Sequence, residues 1–516
     1  IGNYFMSKIV GIDLGTTFSA IAILDDLGNP EVLSDPENNN RITRSAVYIG
    51  REKAIVGDKA VDAAVTNRKN VIFEVKSEME NEVAWSAKEG VWIERKGKKD
   101  SKGYVPSQVS SLILSKLKDY TSGVKKAVVT VPAMFAEAAR AATLDAAKLA
   151  KLDVELINEP TAAVLHYSNL PGSSVNGRVL IFDLGGGTFD ITIANVKGKK
   201  VNVITSVGDK TLGGRRFDEE ILKIIDKKYK KAKGKGIDKK DEKLFIIAER
   251  IKKILSTKDK ATEIIEGPKG PHKIDISRKE FEDSIDTYVE KIKMLMEEAL
   301  DRAKCKANNI SQTLLVGGST RMPIVNEIIT KIMKKAPVKG VNVDEAVACG
   351  AAIYAGLQNK GSLNSAQKKA ISNVELNDVC NFYMGTLMVT MDQERNQGVM
   401  VNDIVIPRDT KLPCSITKTY HVLHDDQKVI KCSVTQSEGE ESDVEFVIII
   451  SEEPLDLPKN AKEGDPVEVT YSYDNNGKMH CVFQYMKTKK KHEINLKPEG
   501  SKDLKELKDN LDFDIE

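Results

Sequence analysis

Apolar and polar positions alternate in two distinct ways along this chain. From residue 8 to about 360, short apolar runs of β type are interleaved with longer stretches whose apolar residues recur every three or four positions. That is the pattern of an α/β fold. It predicts strands over Ala127–Thr130, Val179–Phe182 and Thr313–Val316, and helices over Ser107–Tyr120, Ala136–Lys151, Glu242–Leu255 and Lys279–Lys304. Residues 361–377 are mostly polar and read as a linker. Beyond them the period shortens to two. Alternating runs cover Met384–Met391, Lys418–Val422, Val429–Gln436, Asp443–Ile450, Val467–Tyr473 and Met479–Tyr485, and Asp474-Asn475-Asn476-Gly477 between the last two is a hairpin signal. A small antiparallel β domain is therefore expected after the α/β part. Ser501–Glu516 has room for one short helix or a frayed tail.

Two of the apolar runs are near-copies. Ile9-Val-Gly-Ile-Asp13-Leu-Gly15-Thr16-Thr17-Phe18 is matched, 170 positions later, by Val179-Leu-Ile-Phe-Asp183-Leu-Gly185-Gly186-Gly187-Thr188-Phe189-Asp190. Each reads as a β-hairpin with a tip of small residues. Such a tip exposes backbone N–H groups in a concave set, which binds phosphate. An aspartate at the strand end suits Mg²⁺, which takes one or two carboxylates together with phosphate oxygens and waters. Two hairpins imply two related lobes closing on one nucleotide.

Composition narrows the class without naming a ligand. The 516 residues leave room for two to four domains. With 78 basic and 76 acidic side chains the net charge is +2, so no global field draws the chain to nucleic acid or membrane. The longest apolar stretches, such as Phe446–Ile450, are strand-sized and far short of a bilayer span. Ile1–Ser7 lacks the basic start and apolar core of a secretory signal; Met6 is read as the native start with Ile1–Phe5 a remnant before it, and residues 1–7 are set apart from the first domain as a leader or tag remnant. Cys305, Cys349, Cys380, Cys414, Cys432 and Cys481 are scattered, with no CxxC pair, which argues against a zinc site or disulfide framework and for a reducing compartment.

A third glycine turn, Val316-Gly317-Gly318-Ser319-Thr320-Arg321, follows a strand-like run and precedes a helix. By itself it reads as an ordinary N-cap, just as Lys76 alone reads as a surface lysine and Glu249, Lys252, Lys253 and Ser256 as an exposed charged helix face. There is no GxxxxGK[ST] loop and no strand-linked GxGxxG, so the phosphate grip must be of the two-hairpin kind. That arrangement is similar to the actin, sugar-kinase and Hsp70 ATPase superfamily. Four further motifs select within it: Ala127-Val-Val-Thr-Val-Pro132-Ala-Met-Phe135, Ile157-Asn158-Glu159-Pro160-Thr161, Leu212-Gly213-Gly214 before Phe217-Asp218, and the third glycine turn through Pro323. Together they resemble the Hsp70 chaperones, strongly over residues 8–358 and more weakly through the β domain.

The resemblance implies a fold and a site. The expected fold is an α/β two-lobed actin-like ATPase domain with ribonuclease H-like duplicated lobes (residues 8–361), an interdomain linker (362–378), an all-β sandwich resembling a peptide-binding domain (379–500) and a tail (501–516) without a helical lid. Asp13 and Asp183 would hold Mg²⁺ through its waters. Lys76 would orient the attacking water, Glu159 and Asp190 would complete the polar shell, and Thr188 would sit beside the γ-phosphate. Gly15, Thr16, Thr17, Phe18 and Gly185, Gly186 and Gly187 would surround the phosphates, with Gly213 and Gly214 nearby. Glu249, Lys252, Lys253 and Ser256 would line ribose and adenine; Ser319 with Arg321 would close the base from the other lobe, Gly317 and Gly318 would join the cofactor site, and Asp344 would lie near the nucleoside. The implied cofactors are ATP/ADP and Mg, and the implied activity is ATP hydrolysis coupled to protein folding. Implied partners are a J-domain cochaperone, a nucleotide-exchange factor and unfolded or nascent polypeptide.

Four departures qualify the resemblance. Lys253 stands where arginine is usual, removing a stacking guanidinium and lowering the expected ATP affinity. The linker Asn373-Val-Glu-Leu376-Asn-Asp378-Val379 keeps one leucine and the Asp-Val pair, which weakens the element expected to carry the allosteric signal, although Pro132 and Arg140 at matching signalling positions are present. No lid follows the β domain, so weak binding and fast exchange of peptide are expected, and the C-terminal EEVD motif of cytosolic members is missing. The segment Asn381-Phe-Tyr-Met-Gly-Thr-Leu-Met388 diverges where a substrate loop is expected. These features are similar to atypical, ribosome-associated members, which act with a J-protein beside the nascent chain and in some cases bind ATP without needing its hydrolysis. Two alternatives to a hydrolysing chaperone follow: an ATP-bound, non-catalytic partner of a J-protein at the ribosome, and a small-molecule kinase of the same superfamily, which the Hsp70-specific motifs and β domain disfavour. The lysine-rich stretches Asp226–Lys240 and Lys487–His492 read as solvated faces rather than as specific nucleic-acid sites. A cytoplasmic location is expected, with no membrane association.

Overall fold

The computed structural model describes residues 8–95, 103–239, 241–392, 397–474, 478–494, 496 and 514–515. Residues 1–7, 475–477 and most of 501–516, on which the expected leader, hairpin turn and tail fall, lie outside the described residues.

Both near-copies form antiparallel hairpins, and each seeds a sheet of like topology. In the first lobe, Lys8–Asp13 pairs antiparallel with Phe18–Leu24 and parallel with Val124–Val131. The order is Asp153–Asn158, Val124–Val131, Lys8–Asp13, Phe18–Leu24, Pro30–Val32, with a sixth strand, Thr43–Arg44, also pairing with Phe18–Leu24. In the second lobe, Gly177–Leu184 pairs antiparallel with Phe189–Lys197 and parallel with Gln312–Val316, and Lys200–Asp209 extends the sheet. The central strands are near-continuous apolar runs because both faces are covered: Val10, Ile12, Leu180 and Phe182 are all fully buried. Helix Ala346–Gln358, rich in small residues, is buried almost throughout and packs on helix Glu159–Asn169 and strand Lys8–Asp13. A β-carbon on Gly350 would lie 1.7 Å from the Ala162 carbonyl oxygen, so only glycine permits this approach.

Helix Glu242–Leu255 has the expected bounds, and Pro106–Lys118 and Glu137–Leu149 differ from expectation by one or two residues at their ends. The expected helix over Lys279–Lys304 is two helices, Arg278–Ser284 and Asp286–Arg302. Ile285 breaks it at φ −103°, ψ 9°, with its side chain fully buried. The periodicity runs through the break because both helices bury the same core.

The C-terminal domain is a sandwich of two antiparallel four-stranded sheets. One runs Gln397–Ile406, Tyr383–Asp392, Val429–Ser437, Ile448–Asp456; the other runs Cys414–His421, Pro466–Tyr473, Met479–Tyr485, Lys490–Ile494. The expected run over Asp443–Ile450 instead divides into a 3₁₀ turn, Val444–Phe446, and a later strand. The lysine-rich Lys487–His492 runs onto an edge strand of the second sheet.

Residues 361–377 are more structured than a tether. They hold a short helix, Ser365–Ala370, capped by Asn364, and a strand, Glu375–Asn377, that pairs parallel with Lys200–Asn202 on the open edge of the second lobe's sheet. Polar composition concealed this because an edge strand of three residues needs only one inward side chain, and Leu376 supplies it. The sandwich is seated on the α/β domain. Asn381 Nδ2 donates to the Ala133 carbonyl at 2.7 Å, Tyr473 Oη to Glu137 Oε1 at 3.0 Å, and Arg408 to the Ser206 carbonyl. Met134 of the first lobe joins the sandwich core. The tail is also anchored: Asp514–Ile515 pairs parallel with Lys53–Ala54, and Ile515 packs on the first lobe's core.

Candidate functional site

The two hairpin tips face each other across the lobes. A β-carbon on Gly186 would lie 2.0 Å from Thr17 Oγ1, so the two turns are in van der Waals contact. Serine side chains hold the first tip: Ser19 Oγ accepts from Gly15 N–H at 3.1 Å, and Ser45 Oγ donates to the Gly15 carbonyl at 2.7 Å. The second tip is backed by the start of helix Gly214–Lys233, whose Gly214 and Arg215 N–H groups donate to the Gly185 and Gly186 carbonyls at 2.9 and 2.8 Å. Ser319 Oγ donates to the Gly185 carbonyl at 2.9 Å, which ties the third glycine turn to the second.

Between the lobes opens a cleft of about 430 Å³. It is lined by nearly every residue the sequence singled out: Asp13, Gly15, Thr16, Thr17, Phe18, Lys76, Glu159, Asp183, Gly185, Gly186, Thr188, Gly214, Glu249, Lys252, Lys253, Ser256, Gly317, Gly318, Ser319, Arg321 and Asp344. Three lie just behind the lining. Gly187 rests on the Thr16 side chain, Gly213 on the Gly186–Gly187 backbone, and Asp190 is buried one position past the second tip, opposite Asp183 in the hairpin register.

The floor of the cleft concentrates charge. Lys76, buried, donates to Glu159. Thr130 Oγ1 donates to Asp13 Oδ1 at 3.0 Å. Burial, reinforced by the charge of Glu159, raises the Asp13 carboxyl from 3.8 to about 7, against the pull of Lys76. Burial and Glu159 likewise lift Asp190 to about 7, although the Ala133 and Met134 amides oppose the rise. Asp183 is pushed well up, by burial first and then by its three carboxylate neighbours. Asp183 Oδ2 and Asp190 Oδ2 are buried without a hydrogen-bond partner. Four carboxyl groups crowd one lysine, and the upward push on Asp13, Asp183 and Asp190 is the cost of charging them there, a cost that a divalent cation would relieve. Among the described residues no three His, Cys, Asp or Glu side chains converge as direct metal ligands; the unpaired Asp183 Oδ2 and Asp190 Oδ2 are acceptors that the waters of a hydrated Mg²⁺ would satisfy.

The other end of the cleft is built on helix Glu242–Leu255. Lys252 Nζ donates to Asp218 at 2.9 Å and to the Gly214 carbonyl at 2.8 Å, which fixes this helix to the one behind the second tip. Burial raises the Asp218 carboxyl to about 6 against the lysine's pull. Burial would raise Glu249 too, but Arg44, at 2.5 Å, and Lys253, at 2.8 Å, bring it down to about 2. Arg321 pairs with Asp344.

One expectation is corrected. Ser319 and Arg321 do not belong to a lobe opposite helix Glu242–Leu255. Leu315 and Met322, which flank their turn, share one core with Ile251 and Leu255 of that helix, so both walls belong to the second lobe. The first lobe's contribution is Phe18 and Arg44. The Arg44 guanidinium lies 4.4 Å from the Phe18 ring centre, with Lys253 Nζ 5.3 Å from the same ring. Arg44, Arg215 and Phe245 line the cleft and escaped sequence reasoning. Only the neighbouring Gly213-Gly214 marks Arg215, and nothing local marks Arg44 or Phe245.

No helix among the described residues is long and apolar enough to cross a membrane. The family model described as Hsp70 protein matches residues 9–511, nearly the whole chain, and so takes in both lobes, the docked linker and the sandwich. With this match added to the paired hairpins and the charged cleft floor, the chain belongs to the Hsp70 family.

Proposed function

We propose that this chain is an Mg–ATP-binding chaperone that hydrolyses ATP weakly between its two lobes and uses the cycle in protein folding. The observation that carries the reading is the buried Lys76–Glu159 pair set among Asp13, Asp183 and Asp190 below the two facing glycine tips. Hydrolysis of a phosphoanhydride is mostly positioning and charge neutralisation, and each residue has a part in that. The amides of Gly15–Thr17 and Gly185–Gly187 would grip the phosphates, and Thr188 would lie beside the γ-phosphate. The Lys76 ammonium, oriented by Glu159, would offset charge developing there and hold the attacking water in line. Asp190 would orient solvent from behind the second tip. Asp13 and Asp183 would hold Mg²⁺ through its waters, and when bound it neutralises phosphate charge. Glu249, Lys252, Lys253 and Ser256 would receive ribose and base, with Arg321 and Asp344 opposite Phe18 and Arg44.

Members of this family work with J-domain cochaperones, nucleotide-exchange factors and unfolded polypeptide, and the same classes of partner are proposed here. Single-turnover ATP hydrolysis with Lys76→Ala as the comparison tests the reading; equal rates would sink it. Copurification with ribosomes and a J-domain protein that survives Lys76→Ala would instead identify an ATP-bound partner in a cytoplasmic nascent-chain complex. The seated linker strand supports coupling between cleft and sandwich despite its single leucine. Peptide affinity that differs between ATP and ADP is therefore expected.

A further inference from the structure

Lys76 rides on a short 3₁₀ turn, Val75–Glu78, that opens on Glu74 at φ 54°. This left-handed conformation is uncommon for a residue with a side chain and persists where the surroundings impose it. Here the surroundings come from the opposite lobe. Arg215 Nε lies 3.4 Å from Glu74 Oε1, and Lys210 Nζ lies 2.8 Å from both carboxylate oxygens of Glu80. Both ends of the Lys76 turn are thus tied across the cleft to one short stretch of the second lobe.

Arg215 is itself held from behind. Its N–H donates to the Gly186 carbonyl at the second phosphate tip, at 2.8 Å. Its guanidinium lies 3.3 Å from the centre of the Phe245 ring, on the helix that carries Glu249 and Lys252. A planar guanidinium resting on an aromatic face has little freedom to lose when it pairs, unlike a lysine on a flexible stem. The Arg215 and Glu74 side chains are only 24% and 27% exposed. This separates them from the solvent-exposed ion pairs that contribute little.

We propose that Arg215 is a positioning residue for Lys76. By clasping Glu74 across the cleft it sets the turn that aims the lysine, so the amine is presented to the terminal phosphate only when the lobes are closed. Lys210 secures the far end of the same turn through Glu80. The inference rests on the reading of Lys76 as the hydrolytic lysine.

The full chain is assayed by single-turnover ATP hydrolysis, with nucleotide affinity measured separately. The variants are Arg215→Glu, Glu74→Arg, their combined exchange, Lys76→Ala, and Lys76→Ala with Arg215→Glu. Each single charge reversal should slow single-turnover hydrolysis under saturating conditions by about threefold to thirtyfold, a loss read apart from any change in ATP affinity. The exchange should recover most of the rate, and adding Arg215→Glu to Lys76→Ala should cost nothing further, because Arg215 acts through the lysine. If the reversals do not fold, Arg215→Gln and Arg215→Lys take their place, with lysine expected to keep more of the rate than glutamine. Wild-type rates in the single variants, an exchange slower than either, or a further loss on top of Lys76→Ala would each overturn the inference. Lys76→Ala at the wild-type rate would sink the underlying reading instead, so the two failures are distinguishable.

Discussion

Asp378 is the point where the linker strand leaves the second lobe's sheet, and its removal should free the sandwich. Its carboxylate accepts from Val379 N–H at 2.8 Å, Thr161 Oγ1 at 3.1 Å and Asn158 Nδ2 at 3.2 Å, while its carbonyl accepts from Leu412 N–H of the sandwich at 2.9 Å. Thr161 is fully buried and Asn158 and Val379 nearly so. Asp378→Ala leaves those donors without an acceptor. A buried donor left unpaired costs about 1–3 kcal/mol. Water entering the gap offsets part of the sum, so docking should weaken by about 1–3 kcal/mol in total, a shift of about fivefold to over a hundredfold towards the undocked state. Amide exchange across the docked strand, Glu375–Asn377, reads this directly, since its pairing with Lys200–Asn202 shields it only while the strand is seated. Exchange should accelerate by that factor with the thermal unfolding of the α/β domain unchanged. Asp378→Asn, which keeps one acceptor oxygen, should fall between the two. Protection within twofold of wild type in Asp378→Ala would refute the argument that this residue holds the linker down.

Other outcomes follow from the site and core. Gly186→Ala should weaken nucleotide binding, measured by calorimetry, because its β-carbon would meet Thr17 Oγ1 at 2.0 Å and push the two tips apart or turn that hydroxyl away; unchanged affinity would refute this. Lys253→Arg should tighten ATP binding by about threefold to tenfold, since a guanidinium near Phe18 offers a planar face for the base. His166 is kept neutral by burial, which lowers it from 6.5 to about 4. The unfolded chain therefore binds the extra proton, and stability that is fully present above pH 6.5 should be lost as pH falls towards 4, by roughly 1–3 kcal/mol. Urea unfolding at pH 7.5 and 5 should show this drop in wild type and a smaller one in His166→Gln; an equal drop would assign the pH dependence to other groups.

What was legible in the sequence is what depends on neighbours in the chain. The hairpins around Gly15 and Gly186 announce themselves because a glycine and threonine tip between alternating runs has few other uses. Helix Glu242–Leu255 could be bounded because an Asp cap precedes it and its apolar face repeats cleanly. The rest was hidden where distant segments decide. Strand Gln397–Ile406 was missed because Gly398 and the Asn402-Asp403 pair interrupt its alternation; Asn402 is nonetheless buried, donating to the Glu441 carbonyl and accepting from Thr435. The docked strand Glu375–Asn377 exists only because Lys200–Asp209 leaves an open edge, and Arg44 meets Glu249 only when the lobes come together. A local pattern carries no trace of a partner two hundred residues away.

The pairing of Asp514–Ile515 with Lys53–Ala54 sets a timetable for synthesis. At about 5–20 residues per second, a ribosome delivers the later strand roughly 20–90 s after the earlier one. For that interval the first lobe must stand with a bare sheet edge, the surface on which nascent chains aggregate. Arg51, Glu52 and Lys53 are exposed at the start of that edge, and their charges guard it until the tail arrives. Closure of the first lobe thus follows completion of the cleft, and a chain truncated between the helix Ala346–Gln358 and Asp514 would carry a built cleft with one flank still open.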